Sequence, residues 1–127
     1  MDPIPVLLVD DNPIFLNIVT RFLQSHKDVV VVGSAGGGEA ALACAPDLKP
    51  QVILLDLAMP GLSGLEVIPR LRVILPTVAI IVLSWRDAEG YRPVVLAAGA
   101  DGFVSKATLS TDLLLAIRRV TRTSQSQ

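Results

Sequence analysis

Three apolar runs, at residues 6–9, 52–55 and 78–83, each stop on a polar side chain. Asp10 and Asp11 follow the first, Asp56 the second and Ser84 the third, while a short fourth run, Phe103 and Val104, leads through Ser105 to Lys106. Runs this short, separated by segments long enough for helices, describe strands buried on both faces, as in parallel sheets. In open α/β sheets ligands bind beyond the carboxyl ends of the strands. The polar residues are therefore expected to meet at one sheet edge. Three carboxylates, a hydroxyl and an amine gathered there suit a divalent cation and a phosphoryl group.

The segments between the runs carry helix signals. Asn12-Pro13 supplies an N-cap followed by proline at the first helical position, and Phe15, Ile18, Val19, Phe22 and Leu23 form one apolar stripe of a helix ending near Ser25. Residues 29–32 form a further strand, residues 36–38 a flexible glycine loop, and residues 39–45 a short helix expected to stop at Pro46. A third helical pattern runs through Leu65, Ile68, Leu71 and Leu75 and closes at Pro76; a fourth helix falls between Asp87 and Ala98, ended by Gly99. Residues 102–105 make the last strand. A final helix is expected after Ser110 or Thr111, burying Leu113, Leu114, Ile117 and Val120. Five strands alternating with five helices imply right-handed βαβ units, hence a doubly wound parallel sheet covered on both faces.

At 127 residues and 51% hydrophobic content the chain suits one domain, expected over residues 1–120, with 121–127 a polar tail or the start of a linker. Eleven basic against 12 acidic residues leave a net charge of -1, so the overall balance provides no footprint for nucleic acid. The single cysteine, Cys44, excludes an internal disulfide and sits among small apolar residues as a buried thiol does. Met1 to Pro5 carries an acid and two prolines, unlike a signal peptide, and no apolar run reaches membrane-spanning length; no membrane partner and a cytoplasmic location are expected. The glycines at 36–38 lack the lysine and spacing of a phosphate-binding loop. His26, beside Lys27 and Asp28, reads as a solvated residue at a helix end.

Four segments taken together resemble a bacterial response-regulator receiver domain: Leu7-Leu8-Val9-Asp10-Asp11; Asp56-Leu57-Ala58-Met59-Pro60-Gly61 with Gly64; Leu83-Ser84; and Gly99-Ala100-Asp101-Gly102-Phe103-Val104-Ser105-Lys106. The resemblance extends over nearly the whole chain and implies a flavodoxin-like five-stranded sheet in the order 2-1-3-4-5. It also implies that Asp56 is the phosphoacceptor, taking a phosphoryl group from a sensor histidine kinase, with Mg²⁺ held by Asp10, Asp11, Asp56 and the backbone carbonyl of Ala58. In that scheme Asp10 acts largely through water, Lys106 pairs with phosphoryl oxygens, and Ser84 hydrogen-bonds another oxygen. Ser84 and Phe103 then form a switch that remodels the surface of helix 4, strand 5 and helix 5, a face open to homodimerisation. Independently of the resemblance, like charges about 4 Å apart repel by about 4 kcal/mol at an effective dielectric of about 20, so crowded carboxylates call for a cation.

Taken singly, each residue has a plainer explanation. An aspartate after a strand is commonly a cap or turn residue, Ser84 can cap a helix, and Phe103 can be ordinary core. The five positions together do not fit that explanation. The segment from Asp101 to Ala107 is most like receivers joined to LuxR-like helix-turn-helix domains, so DNA contact is expected only through an output domain outside this chain. A receiver is a switch rather than an enzyme, slowly losing its own phosphoryl group. The alternative is an interaction module that keeps the fold and works without phosphorylation. An aspartate-based phosphohydrolase is disfavoured because Ala58 stands where that class places a second acid.

Three residues depart from the usual pattern. Trp85 follows Ser84, where it either shields an acyl phosphate from hydrolysis or serves a partner interface. Pro69 implies a late start or a kink in the third helix, and Pro93 implies that the fourth helix begins near it, leaving 87–92 as loop.

Overall fold

The computed structural model describes residues 2–85 and 88–125, the side chains of 88, 89 and 123–125 excepted. Five parallel strands, β1 (Ile4–Val9), β2 (Val29–Ala35), β3 (Val52–Asp56), β4 (Ala79–Ser84) and β5 (Gly102–Ser105), lie in the order β2-β1-β3-β4-β5. Helices α1 (Pro13–Gln24), α2 (Gly38–Leu48), α3 (Gly64–Ile74), α4 (Ala88–Ala98) and α5 (Leu109–Gln125) alternate with them. The flavodoxin-like doubly wound sheet expected from the chain is the one observed.

Because side chains alternate along a strand, the central strands feed two separate cores. Leu7, Val9, Ile53, Leu55, Ile80, Val82 and Phe103 pack with Ala41 and Ala45 of α2, Val67, Ile68 and Leu71 of α3, and Val95 of α4. Val6, Leu8, Val52, Leu54, Ile81, Leu83 and Val104 pack with Val19 and Leu23 of α1 and Leu113 and Ile117 of α5. Registry brings the strand ends level: Val9 pairs with Leu55, Asp56 with Leu83, and Ser84 with Ser105. An irregularity between Val6 and Leu7 shifts β1 against β2 without disturbing the pairing of β1 with β3.

Prolines misled the expected helix boundaries. Pro46 does not stop α2, which continues to Leu48 and ends at Lys49 in the left-handed conformation, φ 51°. The third helix starts neither late nor after Pro69; it begins at Gly64 with a capping box, Ser63 Oγ accepting from Glu66 N and Glu66 Oε1 from Ser63 N. Pro69 lies in its second turn. Helix α4 likewise begins at Ala88 rather than near Pro93, so residues 88–92 are helical; Asp87 lies outside the described residues. An interior proline costs about 3 kcal/mol, a penalty offset where the same helix buries large side chains completely, as Ile68 and Leu71 do in α3. Helix α5 starts at Leu109 after a 3-10 turn (Lys106–Thr108) and runs through Gln125. Thr121, expected in a polar tail, is buried and its Oγ1 donates to Ile117 O at 2.9 Å.

Opposite the functional edge, Arg72 of α3 ties two loops together. Its guanidinium donates to the carbonyls of Val78 and Gly99 and pairs with Asp101 Oδ2 at 2.9 Å, while Asp101 Oδ2 accepts from Ile80 N at 2.8 Å.

Candidate functional site

At the carboxyl end of β1 the chain turns sharply through Asp10, Asp11 and Asn12 into α1. Asp10 N donates to Ala35 O at 3.1 Å, and Asp10 Oδ1 accepts from Asn12 N at 2.9 Å. Asn12 Oδ1 in turn caps α1, accepting from Ile14 N and Phe15 N, with Pro13 opening the helix as expected.

The next strand over delivers Asp56. Its backbone is held from behind by an unusually close approach: a Cβ on Gly64 would lie 2.3 Å from Asp56 O and 2.9 Å from Leu57 Cα, so only glycine fits there. Leu57 N donates to Leu83 O and Gly64 N to Leu57 O, fastening the β3 exit to β4 and α3.

Lys106 reaches in from the turn after β5. Its Nζ donates to Asp10 Oδ2 at 2.8 Å and contacts Asp56 Oδ1 at 3.0 Å, with the lysine side chain only 5% exposed. Asp10, Asp11 and Asp56 each present a carboxylate oxygen within 4.8 Å of the others; Asp10 and Asp56 are buried and Asp11 is exposed. Three carboxylates against one ammonium leave a formal excess of two negative charges in a small volume. Burial raises the Asp56 pKa above its ordinary value; Asp10 and Asp11 push the same way, and the Lys106 hydrogen bond opposes them. The donor set is all oxygen and anionic, which fits a hard divalent cation. Asp10 already has both oxygens in hydrogen bonds, whereas Asp11 faces solvent.

The remaining expected residues lie around this cluster. Ser84 is buried at the end of β4, beside Ser105. Phe103 is buried in the core beneath α4, where the Arg92 guanidinium stands 5.7 Å from its ring centroid and donates to Phe103 O at 3.3 Å. Ala58 follows β3 in the exposed turn. Trp85, directly after Ser84, is 69% exposed, so its indole lies largely in solvent.

Two participants escape sequence reasoning. Phe15 belongs to the apolar stripe of α1, yet its ring faces the Lys106 ammonium at 4.0 Å. Arg92 carries no local signal linking it to Phe103, because the contact exists only once α4 packs on β5. The available clue to Phe15 is its place in the first turn of a helix that starts where the acidic cluster ends.

A family model described as the response regulator receiver domain matches residues 6–118. The chain is 37% identical over 118 residues to the nitrate/nitrite response regulator protein NarL of Escherichia coli (strain K12), covering 93% of this chain and 55% of NarL. The response regulator domain of Thermotoga maritima CheB superposes with a TM-score of 0.87 at 29% identity, over 94% of this chain and 97% of that one. RcsB from Salmonella enterica serovar Typhimurium, solved bound to a promoter in the presence of the phosphomimetic BeF3-, superposes with a TM-score of 0.84 at 30% identity, over 94% and 60% of the two chains. The chain spans about half the length of the curated relatives it matches. With the family match extending over most of its residues, the chain belongs to the response regulator receiver domain family.

Proposed function

We propose that this domain accepts a phosphoryl group on Asp56 from the phosphohistidine of a sensor kinase and transmits the change through α4, β5 and α5. The observation that supports it best is the placement of the Lys106 ammonium between Asp10 and Asp56 inside a three-carboxylate cluster. In the transfer a carboxylate oxygen of Asp56 forms the new O–P bond as the N–P bond of the donor imidazole breaks; the leaving nitrogen takes up a proton. Asp11 and Asp56, with the Ala58 carbonyl, would hold Mg²⁺ directly and Asp10 through water. When bound, the cation neutralises charge on the phosphoryl oxygens. Lys106 moves its Asp56 contact to a phosphoryl oxygen, and Ser84 donates to another.

A phosphoryl group adds roughly -1.5 to -2 charges and strong acceptors beside Ser84, which biases the Ser84 and Phe103 switch toward one of two arrangements. Slow self-dephosphorylation resets it. Among the described residues no helix is long and apolar enough to cross a membrane, in keeping with a cytoplasmic role. The likeness to NarL and to promoter-bound RcsB supports an output domain that contacts DNA, outside this chain, and the α4-β5-α5 face is the proposed surface of a homodimer.

Acetyl phosphate with Mg²⁺, followed by intact-mass measurement, tests the acceptor. One phosphoryl group is gained by the parent and none by Asp56→Asn. No gain in the parent, or a gain that survives in Asp56→Asn, rules the reading out.

A further inference from the structure

We infer that Phe15 is a positioning residue of the phosphoryl site, holding the Lys106 ammonium by the face of its ring. The inference rests on the reading of Asp56 and Lys106 proposed above. A lysine ammonium has three donors. Asp10 Oδ2 at 2.8 Å and Asp56 Oδ1 at 3.0 Å take two directions, and the Phe15 ring centroid lies 4.0 Å from Nζ. That distance is well inside the roughly 6 Å reach of a cation over an aromatic face. With the lysine side chain 5% exposed, little water completes the ammonium's shell, and the negative face of the ring supplies what water does not.

The ring is itself fixed. Phe15 occupies the third position of α1, its N–H accepted by Asn12 Oδ1 at 3.3 Å, and it packs against the core that Val19 and Leu23 form with the sheet. Asn12 N also donates to Asp10 Oδ1. One turn, from β1 into α1, therefore sets two of the three ammonium contacts, Asp10 and Phe15. Asp56 comes from a different strand and is the contact that changes when its carboxylate becomes an acyl phosphate. Asp10 and Phe15 thus form a mount that keeps Lys106 in place while the third contact passes from Asp56 to a phosphoryl oxygen. Leucine would fill the space but present no negative face.

The test uses the 127-residue chain with mono-, tri- and pentafluorophenylalanine at position 15, which weaken the ring's negative face with little change of shape. Phe15→Tyr and Phe15→Leu accompany them, and thermal melts establish that each is folded. The rate of phosphoryl gain from acetyl phosphate with Mg²⁺ should fall stepwise with fluorination, reaching about two- to thirtyfold for the pentafluoro ring. Phe15→Tyr should retain the parent rate within about twofold, and Phe15→Leu should lose as much as the pentafluoro chain. A flat fluorine series in a parent that is phosphorylated overturns this inference alone, even if Phe15→Leu is slow, since the ring would then act by packing. A parent that gains no phosphoryl group overturns the acceptor reading and this inference with it.

Discussion

Asp10 and Lys106 stand 96 residues apart in the chain, yet Lys106 Nζ donates to Asp10 Oδ2 across 2.8 Å in a buried site. Neither residue is explicable alone. A buried ammonium or carboxylate is costly unless paired and hydrogen-bonded, and here the pair is completed by Asp56, Asn12 and the Phe15 ring.

Replacing Asp56 with asparagine should stabilise the metal-free protein at neutral pH. Burial raises the folded-state pKa of Asp56 above the ordinary value of 3.8, so its ionised form costs stability once pH exceeds that range. Asparagine keeps an acceptor for Lys106 and removes the charge. Tm should rise by about 2–6 °C at pH 7, corresponding to roughly 0.5–1.5 kcal/mol at this chain length. Below pH 3.8 both states of the parent bind the proton and the two melting curves should converge. Melts recorded with a chelator from pH 3 to 8 check this; a variant less stable than its parent at pH 7 contradicts it.

Gly64→Ala should be among the most damaging single-methyl additions. The new Cβ would meet Asp56 O at 2.3 Å, and both contacts are backbone that cannot swing aside. A loss of about 1–3 kcal/mol is expected in urea unfolding. Because the atom displaced belongs to Asp56, phosphoryl uptake should slow by roughly ten- to a hundredfold. Normal uptake in a destabilised variant would separate the two effects and count against the positional argument.

Trp85 follows Ser84 at a place suited either to shielding the acyl phosphate or to meeting a partner. Its indole is 69% exposed, and Trp85→Ala should change the phosphoryl lifetime by less than about threefold, or roughly 0.7 kcal/mol in barrier. Following the loss of mass after acetyl phosphate is removed gives the answer. Tenfold faster loss would restore the shielding role.

The strands and the residues that terminate them were legible along the chain because burial on both faces demands continuous apolar runs, and such runs are local. Asn12-Pro13 was legible for the same reason, since a cap acts within one turn. The helix boundaries at Pro46 and Pro93 were not, because a proline's cost is local whereas the burial that outweighs it, such as that of Ala45 and Val95, comes from packing on distant strands. The same division applies to the site. Asp10, Asp11, Asp56 and Lys106 were named from sequence as members of one edge, and strand order brought them there. The ring of Phe15 over Lys106 and the guanidinium of Arg92 over Phe103 depended on how helices settle on the sheet, a matter of three-dimensional packing that periodicity along the chain does not encode.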